Sequence, residues 1–198
     1  MKCLLVAALL VIEVTLSLGQ EKKEAMPSME EMMKKMMAAA TPGEMHKKLD
    51  VFVGSWKTKS SMWPEGPGKP PTVTEGSATY EWVLGGRFLK EEFKGTVMGK
   101  PINGIGYNGY DNMRKKYTMF WIDNMGTVMS TGDGSFDQSG RVLTYYGKMD
   151  QPITDEFDKT VKYVMTIVNP DDFIFAIHDL TKPADQTKVL EIEYTRAK

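Results

Sequence analysis

Beyond residue 52 the chain consists of short runs that alternate apolar and polar side chains, separated by turn-forming clusters every eight to twelve residues. Alternation with a period of two puts successive side chains on opposite faces of a strand, and such regular punctuation belongs to an all-β sandwich or barrel. Ten runs are present, over residues 53–62, 72–83, 87–97, 101–110, 116–123, 127–133, 141–150, 160–169, 172–179 and 188–196. Most links are short: Gly85-Gly86, Met98-Gly99-Lys100, residues 123–126, residues 137–140 and Asn169-Pro170-Asp171 carry turn chemistry and join neighbouring strands. The longer crossings are residues 63–71, 151–159 and 181–187. An up-and-down order follows. An open sheet would leave both outer strands with bare edges, and closure removes them, so an antiparallel β-barrel is expected rather than a sandwich. About eight strands already enclose room for one small ligand, so ten leave a cavity unless aromatic side chains fill it.

The first residues do not belong to this pattern. Lys2 precedes an apolar run from Cys3 to Leu18, broken by Glu13, and Ser17-Leu18-Gly19 offers the small residues a signal peptidase reads. Cleavage after Gly19 and a secreted or periplasmic location are expected. The alternative is a retained membrane-anchoring helix, although the run is short for a span, and no stable span is expected once the leader is cleaved. The chain then divides into a leader at 1–19, a linker and helix at 20–50 and the barrel domain at 51–198. Its one cysteine, Cys3, leaves with the leader, so the mature chain has no disulfide and is held by its core alone. A formal net charge of −1 with interspersed signs provides no electrostatic footprint for nucleic acid.

Between leader and barrel, Ser28 followed three residues later by Glu31 forms a capping box, and Thr41-Pro42-Gly43 stops the helix it starts. Met29, Met32, Met33, Met36, Met37 and Ala40 recur on one face, with Glu30 to Lys34 and Glu31 to Lys35 as favourable pairs on the other. The thioethers, with His46 close in sequence, could hold a soft ion such as Cu(I). The amphipathic spacing instead favours a deformable apolar face that docks on the domain or on a partner.

Candidate binding residues concentrate in residues 109–125. After a polar turn, Tyr117, Met119, Trp121 and Asp123 share one face of a strand, and Asp123-Asn124 stand where it meets its next turn. An apolar wall ending in a polar pair is how a pocket fixes the polar end of a ligand, while a core row ending in turn-forming residues is the plainer account. Tyr107 would join this wall if it faces inward. Leu89, Glu91 and Phe93 share a face on another strand, so Glu91 points inward, where a carboxylate must be paired or protonated. Arg87 is about 13 Å away along the strand, too far to serve as its partner. Trp82 and Glu92 are taken as outward controls, although Tyr80 and Trp82 share a face that could itself be the inward one.

At the start of the first strand, Gly54-Ser55-Trp56 resembles the Gly-x-Trp signature of calycins, the superfamily of lipocalins and fatty-acid-binding proteins. The resemblance implies that Trp56 closes the base of the barrel beneath a basic side chain of the last strand. There Leu190, Ile192, Tyr194 and Arg196 alternate on one face, and Arg196 matches that partner. More specifically, residues 42–196 resemble the domain of unknown function 1579 family. The likeness runs through Pro42-Gly43-x-x-His46, Trp82-Val83-Leu84-Gly85-Gly86-Arg87-Phe88-Leu89, Gly106-Tyr107-x-Gly109-Tyr110-Asp111-Asn112 and Trp121-Ile122-Asp123-Asn124-Met125. It implies a calycin-like barrel and brings no established reaction and no catalytic residues. A haem-binding branch of calycin-like barrels uses a late histidine as iron ligand, which would make His178 the candidate here.

Little in the chain speaks for other chemistry. Residues 104–109 spell Gly-x-Gly-x-x-Gly, but a turn and a strand follow instead of a helix that could hold a pyrophosphate. The only histidines, His46 and His178, do not stand at zinc-ligand spacing, and an enzyme would have to rely on inward carboxylates or tyrosines. No matched acid and base pair is evident in the spacing. A carrier or sensor of a small apolar molecule is therefore favoured over an enzyme; an interaction protein working through its methionine face is a third class.

Overall fold

The computed structural model describes residues 26–64, 66, 68–151 and 154–198. The expected leader and its cleavage site lie outside the described residues. Helix α1 (Met29–Ala40) is followed by a short helix α2 (Glu44–Lys47) and a 3-10 turn (Asp50–Phe52). Ten strands follow: β1 (Gly54–Met62), β2 (Thr72–Val83), β3 (Phe88–Val97), β4 (Lys100–Asp111), β5 (Lys116–Asp123), β6 (Ser130–Phe136), β7 (Val142–Gln151), β8 (Glu156–Asn169), β9 (Asp172–Asp179) and β10 (Lys188–Arg196). Each pairs antiparallel with its neighbours in sequence, and β1 pairs with β10, so the sheet closes into an up-and-down barrel.

The chain enters at the closed end. Leu49 and Phe52 plug the base and are fully buried, and Trp56 donates its indole N–H to the Phe52 carbonyl at 2.8 Å. Arg196 is the register partner of Trp56 and lays its guanidinium 4.2 Å from the centre of the Trp56 ring. The same guanidinium donates to the carbonyls of Val53 at 2.8 Å, Val51 at 3.2 Å and Pro170 at 2.8 Å. Three carbonyls from two chain segments thus share one cation across the seam. Gly54 makes this possible: its φ is 128°, and a side chain there would strike the Arg196 guanidinium.

Two strands depart from the expected bounds by more than one residue. β6 begins at Ser130 rather than at residue 127; its inward row is Ser130, Gly132, Gly134 and Phe136, so two glycines remove the apolar alternation over most of it. A methyl group on Gly134 would run into the Thr144 carbonyl, so the close approach of β6 to β7 requires glycine. β8 begins at Glu156, four residues earlier than expected, and its register with β7 shifts between Met149 and Gln151.

The capping box of α1 is present, with Glu31 Oε2 accepting from the Ser28 N–H at 2.8 Å and Ser28 Oγ accepting from the Glu31 N–H at 3.2 Å. The helix does not dock on the barrel through its methionines. No residue of α1 is buried, and its C-terminal end is held by the Asn112 amide, which donates to the carbonyls of Ala39 at 3.1 Å and Thr41 at 2.8 Å.

Candidate functional site

The two halves of the barrel interior differ. Toward the base, the inward residues Trp56, Tyr80, Leu89, Tyr117, Leu143, Tyr145, Phe173 and Tyr194 are all buried. Their rings interlock, with Phe173 and Tyr194 stacked at 4.1 Å and Phe173 edge-on to Trp56 at 4.7 Å. Toward the other end the same inward rows are only half-buried: Ser60 and Met62 on β1, Ile102 on β4, Met119, Trp121 and Asp123 on β5, Phe175 and Ile177 on β9, and Leu190 on β10. These inward side chains are reached by solvent at that end, above an aromatic floor, whereas the inward row of β8, Lys159, Val161 and Tyr163, stays buried there. On one side of the mouth the wall is closed, because Lys159 and Asp179 are both buried and paired at 2.7 Å.

Trp121 shapes the wall of the cup. Its ring occupies the space left by Gly104 and Gly106 on the neighbouring strand, and its indole N–H donates to Asp123 Oδ2 at 2.8 Å. Phe93 meets it edge-on at 6.2 Å. Lower down, Glu91 lies between Tyr80 and Gly106 in register. The Tyr194 hydroxyl donates to Glu91 Oε1 at 3.1 Å, and the Tyr80 hydroxyl also bonds the carboxyl group. Among the described residues no cation pairs with it. Burial pushes the Glu91 carboxyl up to about 7, against the two tyrosine bonds that pull it down. Thr58, the register partner of Tyr194, is buried and its hydroxyl oxygen has no hydrogen-bond partner.

Of the residues expected to line a pocket, Glu91, Met119, Trp121 and Asp123 come together on the inner surface. Tyr117 shares the row of Met119 and Trp121 but lies at the sealed base, where its hydroxyl donates to the Met45 carbonyl at 2.8 Å and burial pushes its pKa up to about 12. Asn124 serves the turn, accepting from the Asn103 N–H at 2.7 Å and donating to the Pro101 carbonyl at 3.2 Å. Tyr107 is on the outer face, because its strand neighbours Gly106 and Asn108 point inward and its ring meets outward Phe120 at 6.2 Å. Trp82 was to be an outward control, but it follows Tyr80 on the inward row, packs on the core and donates to Asp50 Oδ1 at 2.7 Å. Glu92 is exposed and bonded to Lys90 at 2.5 Å.

Thr58, Tyr80 and Tyr194 were not among the expected site residues. Thr58 was accessible through its phase with Trp56, and Tyr194 through its phase with Arg196. His178 faces outward between Lys162 and Lys188, with Nδ1 3.0 Å from Thr187 Oγ1, so it cannot ligate a group inside the barrel. His46 is buried at the base, and its Nδ1 accepts from the Gly43 N–H at 3.1 Å, which removes it from any set with the methionines of α1. Among the described residues there is no cluster of His, Cys, Asp and Glu suited to a metal, and no helix is long and apolar enough to cross a membrane.

The model of a family described as "Protein of unknown function (DUF1579)" matches residues 41–196. The chain belongs to this family. No functionally curated protein matches it. Among solved structures it is similar to Rv2717c from M. tuberculosis, at 16% identity and a TM-score of 0.57, covering 80% of this chain and 100% of that one. A redesigned beta barrel matches at 14% identity and a TM-score of 0.42, covering 79% of this chain and 100% of its own. The family carries no reaction with it, and the likeness to Rv2717c extends to the fold alone.

Proposed function

We propose that the chain is an exported carrier or sensor that holds one small, largely apolar molecule in the cup. The observation that carries this reading is the gradient of burial along the inward rows, from a sealed aromatic base to half-buried side chains at the mouth. The wall of thioether, indole, phenyl and aliphatic side chains suits an apolar body, and a few polar atoms at the floor suit one polar group. Export rests on the apolar run and the small residues before Gly19.

The test is uptake of Nile red, a neutral dye that brightens in apolar surroundings, by the mature chain. Trp121→Leu should weaken uptake about tenfold, the weight of one aromatic wall residue, while Tyr107→Leu on the outer face should leave it unchanged. Equal effects of the two variants, or no uptake by the wild-type chain, would remove the support for a binding cup. Native mass spectrometry of protein purified from its own source should then show the resident molecule.

A further inference from the structure

We propose that the ligand of this cup carries a protonated amine, which Glu91 receives at the floor; this rests on the cup being the binding site. The inner surface has one sign of unpaired charge. Glu91 and Asp123 both face inward, and among the described residues neither forms an ion pair. Among the described residues the positively charged side chains on the inward rows are Arg196, Lys159 and Lys100, and Lys100 is exposed at the rim. Arg196 lies outside the floor, against Trp56 at the base. Lys159 is held between Asp179 at 2.7 Å and Glu156 at 2.9 Å. A carboxylate or phosphate ligand would therefore enter an apolar cup whose floor offers acidic groups and no free cation. An ammonium ion would meet the missing counter-charge.

The geometry at Glu91 also suits a cation. A carboxylate has about four acceptor sites; the Tyr194 hydroxyl takes one of them, with Tyr80 facing the group from the neighbouring strand. That bond orients the group and leaves acceptor capacity for a donor that the protein does not supply. The unpartnered Thr58 hydroxyl stands beside Tyr194 in register, enclosed against Gly76, and adds a buried oxygen to the polar floor. Above Tyr80 the inward residues of β2 are Ala78, Gly76 and Thr74, all small, and at Gly76 the β3 backbone and Thr58 close in where a side chain would stand. Phe93 and Trp121 present rings nearby, which favour a cation further once water is excluded.

Three probes with one alkyl chain separate the possibilities: octylamine, 1-octanol and octanoate, titrated into the mature chain by calorimetry at pH 8. Octylamine should bind about tenfold tighter than octanol, and octanoate more weakly than either. Glu91→Gln should bring octylamine close to octanol without changing octanol, with a single cooperative melting transition as the check on folding. The ranking of the three probes on the wild-type chain decides the matter even if that variant does not fold. Octanoate binding as tightly as octylamine, or an amine preference that survives in folded E91Q, overturns the assignment. So does uptake of Nile red without any preference for the amine, which leaves the cup itself standing. Failure of Nile red and of all three probes overturns both.

Discussion

Glu91→Gln should change how stability depends on pH. In the folded chain burial raises the Glu91 carboxyl to about 7, although bonds from Tyr80 and Tyr194 oppose the rise, whereas unfolding returns it to its ordinary 4.5. Between those values the folded state holds a proton that the unfolded state has lost. The contribution of Glu91 is therefore greatest below pH 4.5 and is lost as pH rises through 7. At about 1.36 kcal/mol per pH unit the whole loss is roughly 3 kcal/mol, of which about 2.5 falls between pH 5 and pH 8. Glutamine keeps the shape and does not titrate. His46 and His178 act in the opposite sense, since burial lowers both, and their contribution is lost as pH falls. They are common to wild type and variant, so they cancel in the difference. Urea denaturation of both proteins at pH 5 and pH 8 measures it. The advantage of E91Q over wild type should grow by about 2.5 kcal/mol from the lower pH to the higher, about 1 M in urea midpoint. A difference that stays flat with pH would refute the claim that Glu91 is a buried carboxyl without a cation.

Arg196→Ala should cost about 3 kcal/mol, or about 10 °C in melting temperature, by releasing the carbonyls of Val51, Val53 and Pro170 and uncovering Trp56, while Nile red affinity stays unchanged. Lost affinity at unchanged stability would assign Arg196 to binding instead. Lys159→Met should cost about 3 kcal/mol in urea denaturation, because Asp179 is left buried with only Thr181 as donor. Replacing Asp179 by Leu in the same chain should recover most of that loss, and no recovery would show that the pair is not the source.

The strands were legible where large side chains mark one face. Leu190, Ile192, Tyr194 and Arg196 on β10 show their phase directly, and β10 has the expected bounds. On β4 the signal is inverted in mid-strand: between Ile102 and Tyr110 the inward positions are Gly104, Gly106 and Asn108, while Ile105 and Tyr107 face out, so the bulkier row there is the outer one. What fills the inner side is Trp121 from β5, and the facing of Tyr107 thus depends on the volume of a residue on another strand. β6 was misplaced for the same reason, because its glycines answer to the backbone of β7 rather than to any local pattern.

The polar floor is less legible still, because closure assembles it. Glu91 could be turned inward from Leu89 and Phe93 alone, but its hydrogen-bond donor Tyr194 is 103 residues away, on the last strand. Tyr80 and Glu91 come from β2 and β3, Thr58 from β1 and Tyr194 from β10, and they meet only because β1 and β10 become neighbours. That seam is registered from Trp56 with Arg196 to Met62 with Leu190, so Tyr194 is held by ladder pairs on both sides of its own. Arg196 seals one end of the ladder without being the sole anchor of the hydroxyl above it. Stability and binding can therefore be separated at the seam, although one act of closure creates both.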